Sequence, residues 1–92
     1  MKLSEGVRST HNLDGAVVLD IHQGQMFRLN LVGSRILELL RRGDSETRIG
    51  DEISREFGAD REMVAADLRK FLAHLEKNHL LEIEGPEELF TS

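Results

Sequence analysis

Four histidines, His11, His22, His74 and His79, are the side chains best suited to proton or metal chemistry near neutral pH, and none stands at a His-x-x-x-His spacing to another. The chain has no cysteine, so a zinc site would have to be assembled from distant segments, and no metal centre is expected. The eight glycines are scattered at turn positions. None forms the GxGxxG or GxxxxGK(S/T) pattern that cradles phosphate, and no nucleotide or other cofactor is expected. No Ser/His/Asp arrangement follows from spacing alone, and the carboxylates fall where solvated helix faces are expected. The sequence therefore points away from catalysis: not an enzyme. What remains is the chemistry of the main chain itself, the N–H and C=O groups of any strand left unpaired.

The elements that would expose such a strand must fit into 92 residues, enough for one small domain with a modest core of Leu, Ile, Val and four Phe. No apolar run approaches the ~20 residues needed to cross a bilayer, and the N-terminus lacks a signal peptide's apolar stretch. A soluble cytoplasmic protein with no membrane partner is expected. Twelve Lys and Arg against seventeen Asp and Glu give a net charge of −5, which disfavours long-range attraction to nucleic acid, so no nucleic-acid partner is expected.

Turn signals at Asn12-Leu13-Asp14-Gly15, Gln23-Gly24, Gly43-Asp44, Gly58 and Gly85-Pro86 divide the chain into a strand-like front and a helical back. The clearest strand covers residues 16–21, where Val17, Leu19 and Ile21 alternate onto one face. A second covers residues 25–29, and a weaker one 7–11. A three-residue loop, His22-Gln23-Gly24, would set Leu19 opposite Phe27 and Val17 opposite Leu29, burying one apolar side on both strands.

Asn30 can cap a helix over 31–42, whose Val32, Ile36, Leu39 and Leu40 recur at helical spacing and which Gly43 ends. Ser45 can cap a second helix, with Ile49, Ile53 and Phe57 on one face and Gly58 as its stop; Gly50 inside it costs about 1 kcal/mol relative to Ala. Asp60 opens the third and longest, to residue 77, with Val64, Leu68, Phe71, Leu72 and Leu75 as its stripe and the expected spine of the core. Residues 80–83 read as a brief extended segment, and 85–92 as a mobile acidic tail outside a 1–84 domain. A small meander cannot bury its apolar face alone, so the expected fold is α+β and winged-helix-like, a three-stranded antiparallel β-meander packed on three α-helices.

In this order the motifs become distinctive. Val18-Leu19-Asp20, Gly24, Phe27-Arg28-Leu29-Asn30, Gly33 and Ile36-Leu37-Glu38-Leu39-Leu40 resemble the PqqD-like family. So do Val64, Asp67, Phe71-Leu72, Leu75 and Leu80-Leu81 in the back half. Val32 departs from the hydroxyl residue common two positions after the Asn, and Phe27 stands where many members have Tyr or Trp. The resemblance implies a peptide chaperone of pyrroloquinoline quinone biosynthesis or a related recognition element for ribosomally made, modified peptides. Such a domain binds a precursor's leader peptide for a modifying enzyme, often a radical S-adenosylmethionine enzyme, with the leader added as a strand beside the third helix.

The residues support that mechanism independently, because a meander leaves Gln25, Met26, Phe27, Arg28 and Leu29 as an edge strand that an extended peptide can complete. Ladder bonds at ~0.5–1.5 kcal/mol net each roughly offset the ~1–2 kcal/mol per residue needed to order the peptide, so affinity must come from apolar side chains buried in a groove. The candidate peptide-binding residues are those five with Leu68, Arg69, Leu72 and Glu76 on the third helix, which share helical repeats. Leu68 and Leu72 read equally as core, and Arg69 and Glu76 equally as solvated surface. Met26, opposite the expected core face, suits a variable apolar ligand. Asn30 reads first as a cap, and Asp67 receives no role. A winged-helix DNA-binding domain and an adaptor using Leu89-Phe90 are the alternatives. The mixed charges of the third helix, Glu62, Asp67 and Glu76 beside Arg61, Arg69, Lys70 and Lys77, weigh against the former. An exposed strand also allows a homodimer.

Overall fold

Each helix begins and ends on chemistry local to the chain. In the computed structural model, which describes residues 1–82, the strands are β1 (Lys2–Leu3), β2 (Val7–Asn12), β3 (Gly15–Asp20), β4 (Gln25–Leu29) and β5 (Leu81–Glu82), and the helices α1 (Leu31–Arg42), α2 (Glu46–Phe57) and α3 (Arg61–Lys77). The side chains of Asn30, Ser45 and Asp60 accept the backbone N–H groups of Gly33, Arg48 and Met63, satisfying an orphan donor at each helix start.

The three helices end alike. The N–H groups of Asp44, Ala59 and Leu80 return to the carbonyls of Leu39, Ser54 and Leu75, the six-to-one bond of a Schellman turn. Gly43 and Gly58 supply the left-handed residue of the first two. In α3 that place falls to His79, at φ 62°, where a Cβ is costly. A Cβ at Gly50 would meet the Arg61 guanidinium carbon at 2.8 Å, so that flexible side chain would have to shift.

The chain is α+β: β2, β3 and β4 form a three-stranded antiparallel sheet in the order β2-β3-β4, packed with three helices. The register differs from the expected one by a residue. Val18 faces Phe27, Leu19 faces Met26 and Asp20 faces Gln25, so the loop has four residues, Ile21 to Gly24, and the inner face carries Ala16, Val18, Phe27 and Leu29. Leu19 and Ile21, expected inside, are 41% and 52% exposed. A slip of one residue exchanges the faces of a strand.

Asp20 causes the slip. It is 3% exposed, and its Oδ1 accepts the N–H groups of His22 (3.0 Å) and Gln23 (3.3 Å) while Oδ2 accepts Gln23 Nε2 (2.6 Å). Gly24 closes the loop at φ 68° and donates its N–H to the Asp20 carbonyl at 2.8 Å. A buried carboxylate is tolerated when its lone pairs are filled, and Asp20 fills them only if the loop is one residue longer than hydrophobic alternation predicts. Gln23 also donates to the Asn78 carbonyl, tying the loop to the end of α3.

Sequence periodicity missed β1, which pairs antiparallel with β5 through Lys2↔Glu82 and Leu3↔Leu81. Two-residue strands carry no period to detect. The core is centred on α1, whose Leu37 and Leu39 are fully buried and which packs against β3 on one side and α2 on the other. It takes the place expected for α3. That helix packs on α2 and β5, and adds Val64, Leu68, Leu72 and Leu75 to the core. The acidic tail lies outside the described residues. Among those described, no helix is long and apolar enough to cross a membrane.

Burial raises the pKa of the Asp20 carboxyl, but the Gln23 side chain and backbone, the His22 backbone and the charge of His22 together outweigh it and hold it below the ordinary 3.8. A depressed carboxyl contributes stability fully above its unfolded value and loses it as the pH falls through the folded value. Asp20→Asn is therefore expected to lower the urea midpoint at neutral pH and to flatten the decline in stability below about pH 4. His79→Gly should raise stability by about 1 kcal/mol in the same urea measurement by removing the left-handed penalty.

Candidate functional site

The pairing pattern determines which main-chain groups β4 presents outward. In an antiparallel ladder, hydrogen-bonded and non-bonded residue pairs alternate. The β2–β3 turn has two residues between the partners Asn12 and Gly15, and the Val7 N–H is used by the Ser4 carbonyl, outside the β2–β3 ladder. Gly15, Val17 and Leu19 therefore bond to β2, and Ala16, Val18 and Asp20 bond to Leu29, Phe27 and Gln25. The peptide groups of Met26 and Arg28 are left pointing away from the sheet, two donors and two acceptors, with no partner among the described residues. At the other edge Arg41 Nη2 donates to the Val7 carbonyl (3.1 Å), which blocks one end of β2, while the peptide groups of Ser9 and His11 point outward by the same alternation.

Beside this edge the sheet and α3 diverge, leaving an apolar trough of about 580 Å³, within the size range of ligand sites. Phe27, Arg28 and Leu29 of β4, with Asn30, Val32 and Gly33 at the start of α1, form one wall. Val64, Asp67, Leu68, Phe71 and His74 of α3 form the other, and Phe57 and Ala59 close one end. Its floor includes Val18, Ile36, Ile53 and Leu75, all buried.

Of the residues singled out from sequence, Phe27, Arg28, Leu29 and Leu68 meet in this trough. Met26 lies on the exposed outer face at 69% exposure, and Gln25 opens the strand beside Asp20. Arg69, Leu72 and Glu76 are not among the trough residues: Leu72 is buried in the core, and Arg69 and Glu76 are exposed. The α3 wall is instead the 64/67/71/74 row together with Leu68, and of these five only Leu68 was singled out. Half-buried Phe71 within the stripe was the available signal, because a large aromatic with one face uncovered suits a wall better than a core.

Asn30 is the cap, its Oδ1 held by the Gly33 N–H at 2.8 Å. Asp67, given no role from sequence, is an exposed carboxylate on the α3 wall.

Two polar ties position the walls. Arg35 of α1 clamps Glu56 of α2 through Nε (2.9 Å) and Nη2 (2.8 Å), immediately before Phe57. The hydrogen bond from Arg35 holds the Glu56 carboxyl below its ordinary value, with burial opposing, and Glu56 in turn raises the Arg35 guanidinium. On the far side, His11 Nδ1 and Ser34 Oγ are 2.7 Å apart, and His11 Nε2 and Ser9 Oγ are 3.0 Å apart, linking β2 to α1. Ser34 is buried, so this pair is a structural tie. Among the described residues no cluster of His, Asp or Glu could hold a metal ion.

The molecule is a small α+β domain in which an open strand edge lies beside an apolar trough. The family model described as "Coenzyme PQQ synthesis protein D (PqqD)" matches residues 15–81, and the chain belongs to that family. Among solved structures, "TbiB1 in Complex with the TbiA(beta) Leader Peptide" is 42% identical, with a TM-score of 0.85 over 94% of this chain and 100% of that one. "Lasso peptide synthetase B1 complexed with the leader peptide" is 22% identical, with a TM-score of 0.77 over 86% of this chain and 93% of that one. The PqqD truncation of Methylobacterium extorquens PqqCD, described as a stand-alone RiPP recognition element, is 24% identical, with a TM-score of 0.72 over 89% of this chain and 87% of that one. The last two share the fold. Among curated proteins, none matched.

The Arg35–Glu56 clamp is a bidentate pair at the surface, the geometry in which an exposed ion pair does contribute. Glu56→Gln is expected to cost about 0.5–1 kcal/mol in chemical denaturation at neutral pH. The loss should shrink as the pH falls through the depressed Glu56 value, because there the unsubstituted protein loses the charge too.

Proposed function

We propose that this protein is a non-catalytic peptide-binding element. It holds the leader of a ribosomally made precursor peptide as an added strand on β4 and presents it to a modifying enzyme. The observation that carries the reading is the juxtaposition of the outward Met26 and Arg28 peptide groups with the apolar trough. Four outward groups permit four ladder bonds, worth about 2–6 kcal/mol in all, against ~1–2 kcal/mol for ordering each peptide residue. Backbone pairing alone gives no useful affinity. Two or three apolar leader side chains entering the trough would each contribute about 1.5–3 kcal/mol, and a trough of this size accommodates them. The same trough left empty would expose Phe27, Phe57 and Phe71 to water at a cost, which is reason to read it as a site.

The 42%-identical relative was solved with a leader peptide bound, which supports a leader as the ligand here. The family's namesake pathway favours a radical S-adenosylmethionine enzyme as the partner, and a short precursor gene flanked by the gene of such an enzyme would bear that out. Self-pairing into a homodimer would use the same edge, so excess peptide should return any dimer to monomer.

Titrating a candidate precursor leader peptide should shift the amide resonances of Met26, Arg28 and the Val64–His74 face of α3. An unmoved β4 would overturn the reading. Met26→Pro removes one outward donor without touching the β3–β4 ladder. It should leave the circular dichroism spectrum unchanged and weaken peptide binding about 5- to 10-fold, the value of one ladder bond. Phe71→Asp, which places a charge in the apolar wall, should abolish binding.

A further inference from the structure

Most arginines of this chain have partners: Arg35, Arg42, Arg55 and Arg61 pair with carboxylates, and Arg8 and Arg41 donate to the Val7 carbonyl. Arg28 makes no ion pair or hydrogen bond among the described residues, although the chain carries an excess of carboxylates. Its position is particular. It belongs to the open strand, borders the trough, and by alternation sits on the outer face of the sheet, opposite Val17. The outer-face positions of the three strands are Arg8, Thr10, Asn12, Gly15, Val17, Leu19, Met26 and Arg28; none is acidic. Asp67, the carboxylate nearest in role, stands on the α3 wall at the inner side.

A strand added to β4 places alternate side chains on the two faces. Its inner row meets the trough, where apolar residues are favoured and Asp67 disfavours a carboxylate. Its outer row lies beside Met26 and Arg28, and directly adjacent side chains on neighbouring strands interact, opposite charges favourably and like charges unfavourably. We infer that the bound peptide carries a carboxylate on its outer row beside Arg28, two residues from an apolar neighbour of Met26, so that the site reads an acidic residue in addition to apolar ones. This inference rests on the strand-addition reading of the site and specifies the chemistry of its ligand.

The test uses fluorescein-labelled synthetic peptides with apolar residues at alternate positions, in which Glu, Gln or Lys is placed in turn at each intervening position. Binding to the whole protein is read by anisotropy. At one intervening position Glu should bind roughly 2- to 10-fold more tightly than Lys, the range for an exposed pair compared with a like-charge clash. The preference should fade at high salt. On Arg28→Glu the order should reverse, and on Arg28→Gln it should vanish. Arg48→Glu on α2, which changes the net charge equally and is remote from the trough lining, should keep the original order. Binding without a charge preference at any position, or a preference unaltered by Arg28→Glu, overturns the inference while leaving strand addition standing. If no peptide in the set binds and the Met26 and Arg28 amides stay unmoved, strand addition and the inference fall together.

Discussion

The buried carboxylate of Asp20 decides more of this structure than any apolar contact. A charged group in the interior is tolerable only when its lone pairs are taken up, and here the donors come from His22 and Gln23 in the loop that follows. Meeting that demand lengthens the loop to four residues and fixes Asp20 opposite Gln25. The face turned inward, the groups turned outward and the position of Arg28 all follow. With one residue fewer in the loop and Val18 kept inward, Arg28 and Met26 would exchange places with Phe27 and Leu29. The trough would then be lined by a cation and a thioether.

The second constraint is the divergence of α3 from the sheet. The helix is held at its end by the Leu3–Leu81 pairing of β1 with β5 and along its length by α2, which leaves Asp67 exposed and Phe71 half-covered. The fold thereby maintains an apolar concavity that a small domain would ordinarily collapse to fill.

Much of the fold was legible because its signals are local. Asn30, Ser45 and Asp60 mark helix starts, Gly43 and Gly58 mark ends, and the spans 31–42 and 61–77 coincide with the helices that form. The order of motifs around Phe27-Arg28-Leu29-Asn30 sufficed to identify the family. The strand register was hidden because Val17, Leu19 and Ile21 alternate as well as Ala16 and Val18 do, and only the needs of a buried Asp20 separate the two sets. The trough face of α3 was hidden for a related reason: Leu68, Phe71, Leu72 and Leu75 are all apolar, and spacing records that they share a stripe without recording which edge of the stripe is covered. The strand β1, two residues long, gave no pattern to read, whereas β5 falls within the brief extended segment expected over 80–83.

The capture of the Val7 carbonyl by Arg41 has a consequence for how copies of this domain could meet. A sheet with two bare edges can join head to tail, each copy offering a fresh edge to the next, and such contacts grow into filaments because they never close. With the guanidinium seated on the Val7 carbonyl, a copy arriving at β2 finds only the main-chain groups of Ser9 and His11 and a cation beside them, so that flank offers a shorter ladder than its six residues would otherwise allow.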